Sequence, residues 1–466
     1  MKLFKAKKGI HIPGKKDGTA KLSSIEFLSP EYVYIPLSVK GTDFDVLVKP
    51  GDIVKLGQKI AQRSKGKGLP LVKHASISGE VVNIKERKMH SSGLPYVCIQ
   101  IKNDFKDTLV EVTPVSNLDK VENSQLLEII KEAGIVGLGG AGFPTFLKYG
   151  NVKDIDTVIL NGAECEPYLT SDYRIMLEQT DRVIDGLVIL MKLANAKKGI
   201  IAIKKGKKEV YKQLLDGASK FNNISVVEIP DEFPAGWERQ VVYRTLKRSY
   251  ENFPFECGVI LNNVSTSVAV SKAVRDGLPL VERFVTVSGE GIIRPQNYRV
   301  RIGTLSTDLI KLSEGLADDM GELRIVTGGP MMGTSLKTEE FVVTSELSGI
   351  LALPGEHKYE TPHNKPVGDV ILDVLHFSEH DDRFFMRDEQ PCVRCGNCVK
   401  YCPAGIQPTL IRSASIAKDE IMLDKLDVSK CISCGTCSYV CPSHIQVSEA
   451  VKKGKAYHAA KNRNKK

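Results

Sequence analysis

The chain has 466 residues, 42% of them hydrophobic and 26% charged, with a formal net charge of +9. That length asks for three or four domains, and the composition is ordinary for a globular chain. No apolar run approaches the ~20 residues needed to span a bilayer, and the opening MKLFKAKKGIHIPGKK lacks the apolar segment that a signal peptide carries after its lysines.

Residues 1–115 are rich in short β-like runs and glycine turns. VLVKPGDIVKLGQKIAQ followed by HASISGEVVNI resembles a lipoyl- or biotin-carrier barrel, with a turn at Pro50, Gly51 and Asp52 and a returning strand after Gly79. The hairpin tip that would present a lone modifiable lysine reads KGKGLP, so an unmodified domain that packs or docks is expected. From about residue 120 the pattern changes. ENSQLLEIIKEAG is helical, with Asn123 or Ser124 as its cap. DTVILNGAE, SDYRIMLEQTDRVIDGLVILMKLANA, GIIAIKK, KKEVYKQLLDGASKF and ISVVEIP then alternate β-branched runs with helices. GVILNNVSTSVAVSKAV repeats that grammar, and the stretch 120–278 reads as an α/β domain around a parallel sheet. Residues 280–350 return to short strands with one helix, a small α+β module. Residues 351–380, with PGEHKYETPHNKP, read as a linker.

The densest chemistry follows, in 381–450. PCVRCGNCVKYCP and KCISCGTCSYVCP each have the spacing C-x-x-C-x-x-C-x-x-x-C-P. This is the bacterial ferredoxin spacing, in which three thiolates of a run grip one cubane and the fourth crosses to the other. It assigns one [4Fe–4S] cluster to Cys392, Cys395, Cys398 and Cys441, and a second to Cys431, Cys434, Cys437 and Cys402. Structural zinc would leave the third cysteine of each triplet surplus, and disulfides would need an exported chain. Clusters without export imply a reducing compartment, the cytoplasm. Cys98, Cys165 and Cys257 read as ordinary core or surface residues. The tail 451–466, KKGKAYHAAKNRNKK from Lys452 on, is basic and reads as a solvated, frayed terminus or a site for an anionic partner. A single tryptophan and no aromatic–basic interleaving argue against nucleic acid.

A second cofactor site is suggested by GLGGAG at 137–142. It matches G-x-G-x-x-G, but a helix precedes it where a dinucleotide fingerprint has a strand. Together with Phe143, Pro144 and Thr145, so many glycines suggest backbone lying against a flat or phosphorylated ligand. Three polar loops follow predicted strands: NGAECEPY with Glu164 and Glu166, DEFPAGWERQ with Glu238 and Arg239, and NNVSTS at a helix start. In an open α/β sheet such loops meet outside the carboxyl ends of the strands, where ligands gather.

With GLGGAGFPTFLK, NGAECEPYLT, NNVST, TGGPMMG and the twin cysteine runs in this order, the chain resembles the RnfC family of the Rnf electron transport complex over nearly its whole length. Its middle is similar to the NADH-binding flavoprotein subunit of respiratory complex I. The resemblance implies a multidomain α/β and α+β fold: a barrel-sandwich N-terminal domain, an α/β flavin/NADH-binding domain, a small SLBB-like β-grasp module and a C-terminal helical 2[4Fe–4S] ferredoxin-like domain. It places Gly137, Gly139, Gly140, Gly142 and Lys148 on an FMN loop, Asn161 at the flavin ring and ribityl chain, and Asn262, Asn263 and Thr266 at the phosphate end. Phe143, Glu164 and Glu166 fall where NADH lies over the flavin, and Glu238 is an orienting group. The complex I acid that would fall at position 163 is absent, with Ala163 in its place, Trp237 stands beside Glu238, and VVTSELSGIL lacks an expected lysine. No side chain is assigned as an acid–base catalyst.

The function implied is electron input to a membrane-bound, ion-pumping NADH–ferredoxin oxidoreductase. NADH would be the substrate, ferredoxin and the membrane subunits the partners, and the cytoplasmic face of the membrane the peripheral location. Two other readings stand beside it. One is a soluble flavin and iron–sulfur reductase such as cobalamin reductase or the electron-transfer protein of proline reductase. The other is a conduit or docking subunit that does not oxidise NADH.

Overall fold

The structure, a computed structural model, describes residues 9–140, 142–150, 152–355 and 389–463. They fall into two compact units, one of residues 14–231 and 235–353, the other of 9–13, 232–234, 354–355 and 389–463. Among the described residues no helix is long and apolar enough to cross a membrane.

The first unit begins with the barrel-sandwich. One antiparallel sheet orders Tyr32–Ser38, Pro95–Asn103, Gly79–Met89 and Ile53–Val54; a second orders Phe44–Val46, Lys59–Arg63 and Val72–His74. Val33, Ile35, Ile60, Ile77, Val81, Ile99 and Ile101 fill the space between them. The alternation of these residues along their strands is what puts them on one face. The expected turn is made by Gly51 at φ +91, and the returning strand starts at Gly79, φ +151, where a Cβ would stand 1.8 Å from the Lys102 carbonyl oxygen.

Within residues 1–115, Ile25–Phe27 pairs in parallel with Tyr298, Arg299 and Val300 of the third module. The one-turn helix Asp17–Ala20 leads into it, and Thr19 is bonded to Thr170 and Asn297. A three-residue strand is too short to show an alternation, and its partner is far along the chain, so no local signal marks it.

The α/β domain is built on a parallel sheet of β1 (Thr157–Gly162), β2 (Lys198–Lys204), β3 (Ile224–Ile229) and β4 (Val259–Asn263), in the order β3-β2-β1-β4. Its helices are α1 (Asn123–Glu132), α2 (Ser171–Glu178), α3 (Thr180–Ala194), α4 (Lys208–Ala218), α5 (Glu238–Leu246) and α6 (Val264–Arg275). Val158, Leu160, Ile201 and Ile203 face α1, α3, α4 and α6, whereas Ile159, Ile200 and Ala202 face Val241 and Val242 of α5. Burial on both faces is why these strands read as unbroken apolar runs. The chain walks outward from β1 to β3, then returns to lay β4 on the other side of β1. The crevice at the β1/β4 carboxyl ends is therefore the topological switch point.

The third module opens with β5 (Glu282–Ser288), which pairs antiparallel with Gln296–Arg301 and parallel with Gly349–Pro354 in a six-stranded sheet. Helix α7 (Ser306–Leu312) closes its core of Val285, Val287, Tyr298, Leu309, Phe341 and Ile350.

The second unit contains the cysteine runs, with α8 (Pro408–Ile416) and α9 (Val447–Arg463) packed over Ile411, Leu423, Val428, Ile445 and Val451. The basic tail expected from 451 is not a frayed terminus up to residue 463: α9 runs through it, Val451 is buried, and Lys455 Nζ donates to the Cys431 carbonyl. Small apolar residues every third or fourth position (Val447, Ala450, Val451, Gly454) give that helix a packing face beneath its lysines. Of the linker expected over 351–380, residues 356–380 lie outside the described residues, as do 464–466 of the tail.

Helices α3 and α6 touch at backbone distance. A Cβ on Gly186 would lie 2.0 Å from the Ser267 carbonyl oxygen. Gly186→Ala is expected to destabilise the α/β domain by about 1–3 kcal/mol through overpacking, measured as a fall in the urea midpoint. Gly18→Ala, whose Cβ would meet only Pro295 at 3.7 Å, should stay within about 0.5 kcal/mol.

Candidate flavin and iron–sulfur sites

The switch point gathers the residues singled out above. Asn161 and Asn263 are register partners at the ends of β1 and β4, with Asn263 Nδ2 3.4 Å from the Asn161 carbonyl oxygen. Asn161 Nδ2 donates to the Gly236 carbonyl at 2.9 Å, which draws the PAGWERQ loop back to β1 although β3, the strand before it, is at the sheet edge. The glycine loop closes on itself through Gly137 N–H to Phe143 O and Gly142 N–H to Gly137 O, at 2.8 and 3.1 Å. Thr266 Oγ1 accepts the Leu138 N–H at 2.9 Å and fixes the loop to the start of α6. Gly139 and Gly140 are left exposed, Gly140 at φ +106, and neither amide makes a hydrogen bond among the described residues. A Cβ at Gly139 would press on Asn263, and one at Gly142 on Glu346. Phe143 holds its ring 39% exposed at the rim.

Several side chains are committed in ways the sequence did not foretell. Asn262 is buried and donates to the Tyr149 hydroxyl at 2.5 Å. Lys148 Nζ donates to the Leu261 carbonyl at 2.9 Å; burial lowers its pKa and Glu238 opposes that. Glu238 also accepts from the Tyr250 hydroxyl. Trp237 is half-buried at the N-cap of α5. Glu166 is turned to the third module, where its Oε2 accepts the Met331 N–H at 3.0 Å. Gly329 makes room for it, since a Cβ there would fall 2.1 Å from that oxygen.

Glu164 sits at φ +34, an uncommon conformation for a side chain of its size, and its Oε1 takes the Asp172 N–H at 2.8 Å. Lys16 reaches it from the N-terminal segment, Nζ donating to the Glu164 carbonyl at 2.8 Å and lying 3.5 Å from Oε2. Burial pushes the Glu164 carboxyl up to about 7 against the pull of Lys16, and the same burial lowers Lys16. Asp172 completes this layer by accepting from Asn263 Nδ2 and Ser265 Oγ at 2.7 and 2.6 Å. Lys16 lies in the GIHIPGKK stretch and Asp172 just after NGAECEPYLT, and neither stands out there as a site residue. Their only trace in the sequence is polarity in or beside stretches already marked.

The residues present fit a flavin nucleotide. The exposed, unbonded Gly139 and Gly140 amides are available as donors, and Gly139 lies against Asn263, the N-cap of α6. Two buried polar atoms beside the loop, Thr145 Oγ1 and Arg283 Nη1, have no hydrogen-bond partner. Such atoms are rare in a finished interior, and they mark a place where a polar ligand completes the bonding.

In the second unit the two cysteine runs fold alike. Gly396 and Gly435 take φ +77 and +74 ahead of the one-turn helices Asn397–Lys400 and Thr436–Tyr439. Cys402, Cys431, Cys434 and Cys437 line one pocket, together with Ile406, Ser448 and Val451. Burial raises the Cys437 thiol, and the sulfurs of Cys434, Cys431 and Cys402 raise it further. Burial likewise raises Cys398, with Cys441 and Cys395 adding to it. Cys392 and Cys395 are exposed. Among the described residues no three His, Cys, Asp or Glu side chains close on a single ion. A four-iron cluster does not ask that of its thiolates, because each binds its own iron.

Lys16→Ala leaves Glu164 buried without its cation and is expected to cost about 3–5 kcal/mol. Adding Glu164→Gln should recover part of that loss in a double-mutant cycle followed by urea unfolding. Equal losses in the single and double variants would sink the pairing.

Four sequence families match the chain in succession: the RnfC barrel sandwich hybrid domain over residues 4–106, the Nuo51 FMN-binding domain over 130–272, the SLBB domain over 284–335 and the 4Fe-4S dicluster domain over 391–447. The C subunit of the Na(+)-translocating ferredoxin:NAD(+) oxidoreductase complex of Acetobacterium woodii is 33% identical over 88% of this chain and 87% of its own length. The C subunit of the proton-translocating ferredoxin:NAD(+) oxidoreductase complex of Clostridium ljungdahlii is 35% identical over 86% and 82%. That of the ion-translocating oxidoreductase complex of Serratia proteamaculans is 34% identical over 86% of this chain and 53% of its own. With its FMN-binding domain set between an RnfC barrel and an iron–sulfur dicluster domain, the chain belongs to the RnfC family, the C subunits of ion-translocating ferredoxin:NAD(+) oxidoreductase complexes.

Proposed function

We propose that this chain is the subunit through which electrons pass between NADH, FMN and two [4Fe–4S] clusters in an ion-translocating NADH:ferredoxin oxidoreductase of the Rnf type. The observation that carries the reading is one chain holding both the glycine-loop crevice at the β1/β4 switch point and the doubled cysteine run. FMN supplies the exchange between a two-electron hydride donor and one-electron iron–sulfur acceptors. The protein's own work is placement. The Gly139 and Gly140 amides and the N-terminus of α6 offer donors to a phosphate, and Asn161 lies at the crevice floor. Phe143 presents an apolar face at the rim where a dinucleotide would lie. Lys148 keeps a cation beside Glu238 in the same crevice. Glu164 acts through Lys16 and Asp172, shaping the β1 loop, and Glu166 ties that loop to the third module.

The cluster ligands are proposed to be Cys392, Cys395, Cys398 and Cys441 for one cubane, and Cys431, Cys434, Cys437 and Cys402 for the other. The pocket that Cys402 shares with Cys431, Cys434 and Cys437, and the action of both Cys441 and Cys395 on the Cys398 thiol, support this crossing. Membrane subunits and ferredoxin are its proposed partners through the complex, at the cytoplasmic face.

An anaerobic absorbance spectrum of the purified chain, taken before and after NADH, tests the reading. Loss of flavin absorbance together with bleaching of the broad cluster band is the expected result. A flavin that stays oxidised with NADH yet reduces with dithionite would favour the conduit instead. For the crossing, the EPR spectrum of reduced Cys441→Ser should match that of Cys392→Ser and differ from Cys431→Ser. A match to Cys431→Ser would overturn the assignment.

A further inference from the structure

Arg283 lies near the start of β5, in the third module, and is 3% exposed. Its Nε donates to the Leu347 carbonyl at 2.8 Å and its Nη2 to the Leu138 carbonyl, inside the glycine loop, at 2.7 Å. Its Nη1 is buried with no partner, and the guanidinium makes no ion pair among the described residues. Burial lowers its pKa while Asp172 and Glu346 act on it from a distance. Both of those carboxylates are engaged elsewhere. Asp172 accepts from Asn263 and Ser265, and Glu346 is hydrogen-bonded to Ser345, with the charge of Lys73 acting on it.

A guanidinium cannot shed its charge to relieve burial, and a buried cation with no contacting anion is strongly disfavoured. The fork of Arg283 uses two of its three nitrogens on carbonyls and keeps the third open. Next along the chain from Leu138 stand the two exposed amides of Gly139 and Gly140, and Thr266 of α6 bonds the same Leu138. Amides, a helix N-terminus and an open guanidinium nitrogen together form a receptor for a doubly charged phosphate.

We propose that Arg283 Nη1 is reserved for the phosphate of FMN, so that the third module supplies a cation to a cofactor site otherwise built by the α/β domain. The proposal rests on the flavin reading above. It makes the flavin a tie between two modules, since one guanidinium holds the glycine loop, the Leu347 turn and the phosphate at once.

The test uses the full chain, stripped of flavin and dialysed against FMN or riboflavin, which differ by the phosphate. The wild-type chain should prefer FMN. Arg283→Gln should weaken FMN by about tenfold or more, the factor one charge-assisted hydrogen bond is worth, and leave riboflavin within about twofold. Arg283→Lys keeps the cation and should retain part of the FMN preference, and it stands in if the glutamine variant fails to fold. Equal weakening of both flavins in either variant would reduce Arg283 to a brace for the loop and overturn the proposal. A folded wild-type chain that binds neither flavin would instead refute the flavin reading itself.

Discussion

The register between β1 and β4 fixes where everything else must go. Because Asn263 pairs with Asn161, the two strand ends finish level, and the loops that follow them open into the same crevice. A slip of one residue would turn both side chains to the opposite face of the sheet. The glycine loop then has one way to close over this edge. Leu138 is held by Thr266 from α6, and Gly139 lies so close to Asn263 that an added Cβ would stand 3.2 Å from its side chain. Backbone approach at this range leaves amide groups as the natural ligand donors, which is the use such glycines have.

Around that edge the unusual feature is how many buried charges come from elsewhere. Lys16 arrives from the N-terminal segment and Arg283 and Glu346 from the third module, each within reach of the β1 loop or the glycine loop, and the charge of Lys73, from the barrel, acts on Glu346. Glu166 makes the reverse connection, out of the α/β domain to Met331. Charges in such positions do little for net stability unless their geometry is held. What they give is definition, since each pair is satisfied in one arrangement of the modules only. The crevice is thus a shared product of three modules.

Much of this was legible in the sequence and some was not, for reasons of distance. The doubled cysteine spacing is a local pattern, and so are the alternating strands and helices of the parallel sheet. Asn161, Asn263 and the glycine loop could be named because each lies in a motif next to a predicted strand end. Arg283 and Asp172 lie in no motif singled out above, and the contacts that bring Arg283, Lys16 and Asp172 to the crevice reach across more than 90 residues of sequence. Glu166 shows the opposite case. It sits within a recognisable motif, yet its carboxylate is taken up by a loop 165 residues later. The helix through 447–463 was hidden by its lysines, whose charge masks the small apolar face that packs it.

The strand Ile25–Phe27 has a consequence for how the chain is made. Its partner Tyr298–Val300 is synthesised 273 residues later, so this early segment is among the last to find its place. At roughly 5–20 residues per second that wait lasts on the order of 15–55 s. During it Thr19 and Ile25 have no partners from the third module, and Lys16 waits for Glu164 of the α/β domain. The barrel, whose strand pairs are nearer in sequence, is free to form meanwhile. Closing the N-terminal segment over the crevice is therefore a late event, and it seals the modules into one unit only after each has its own core.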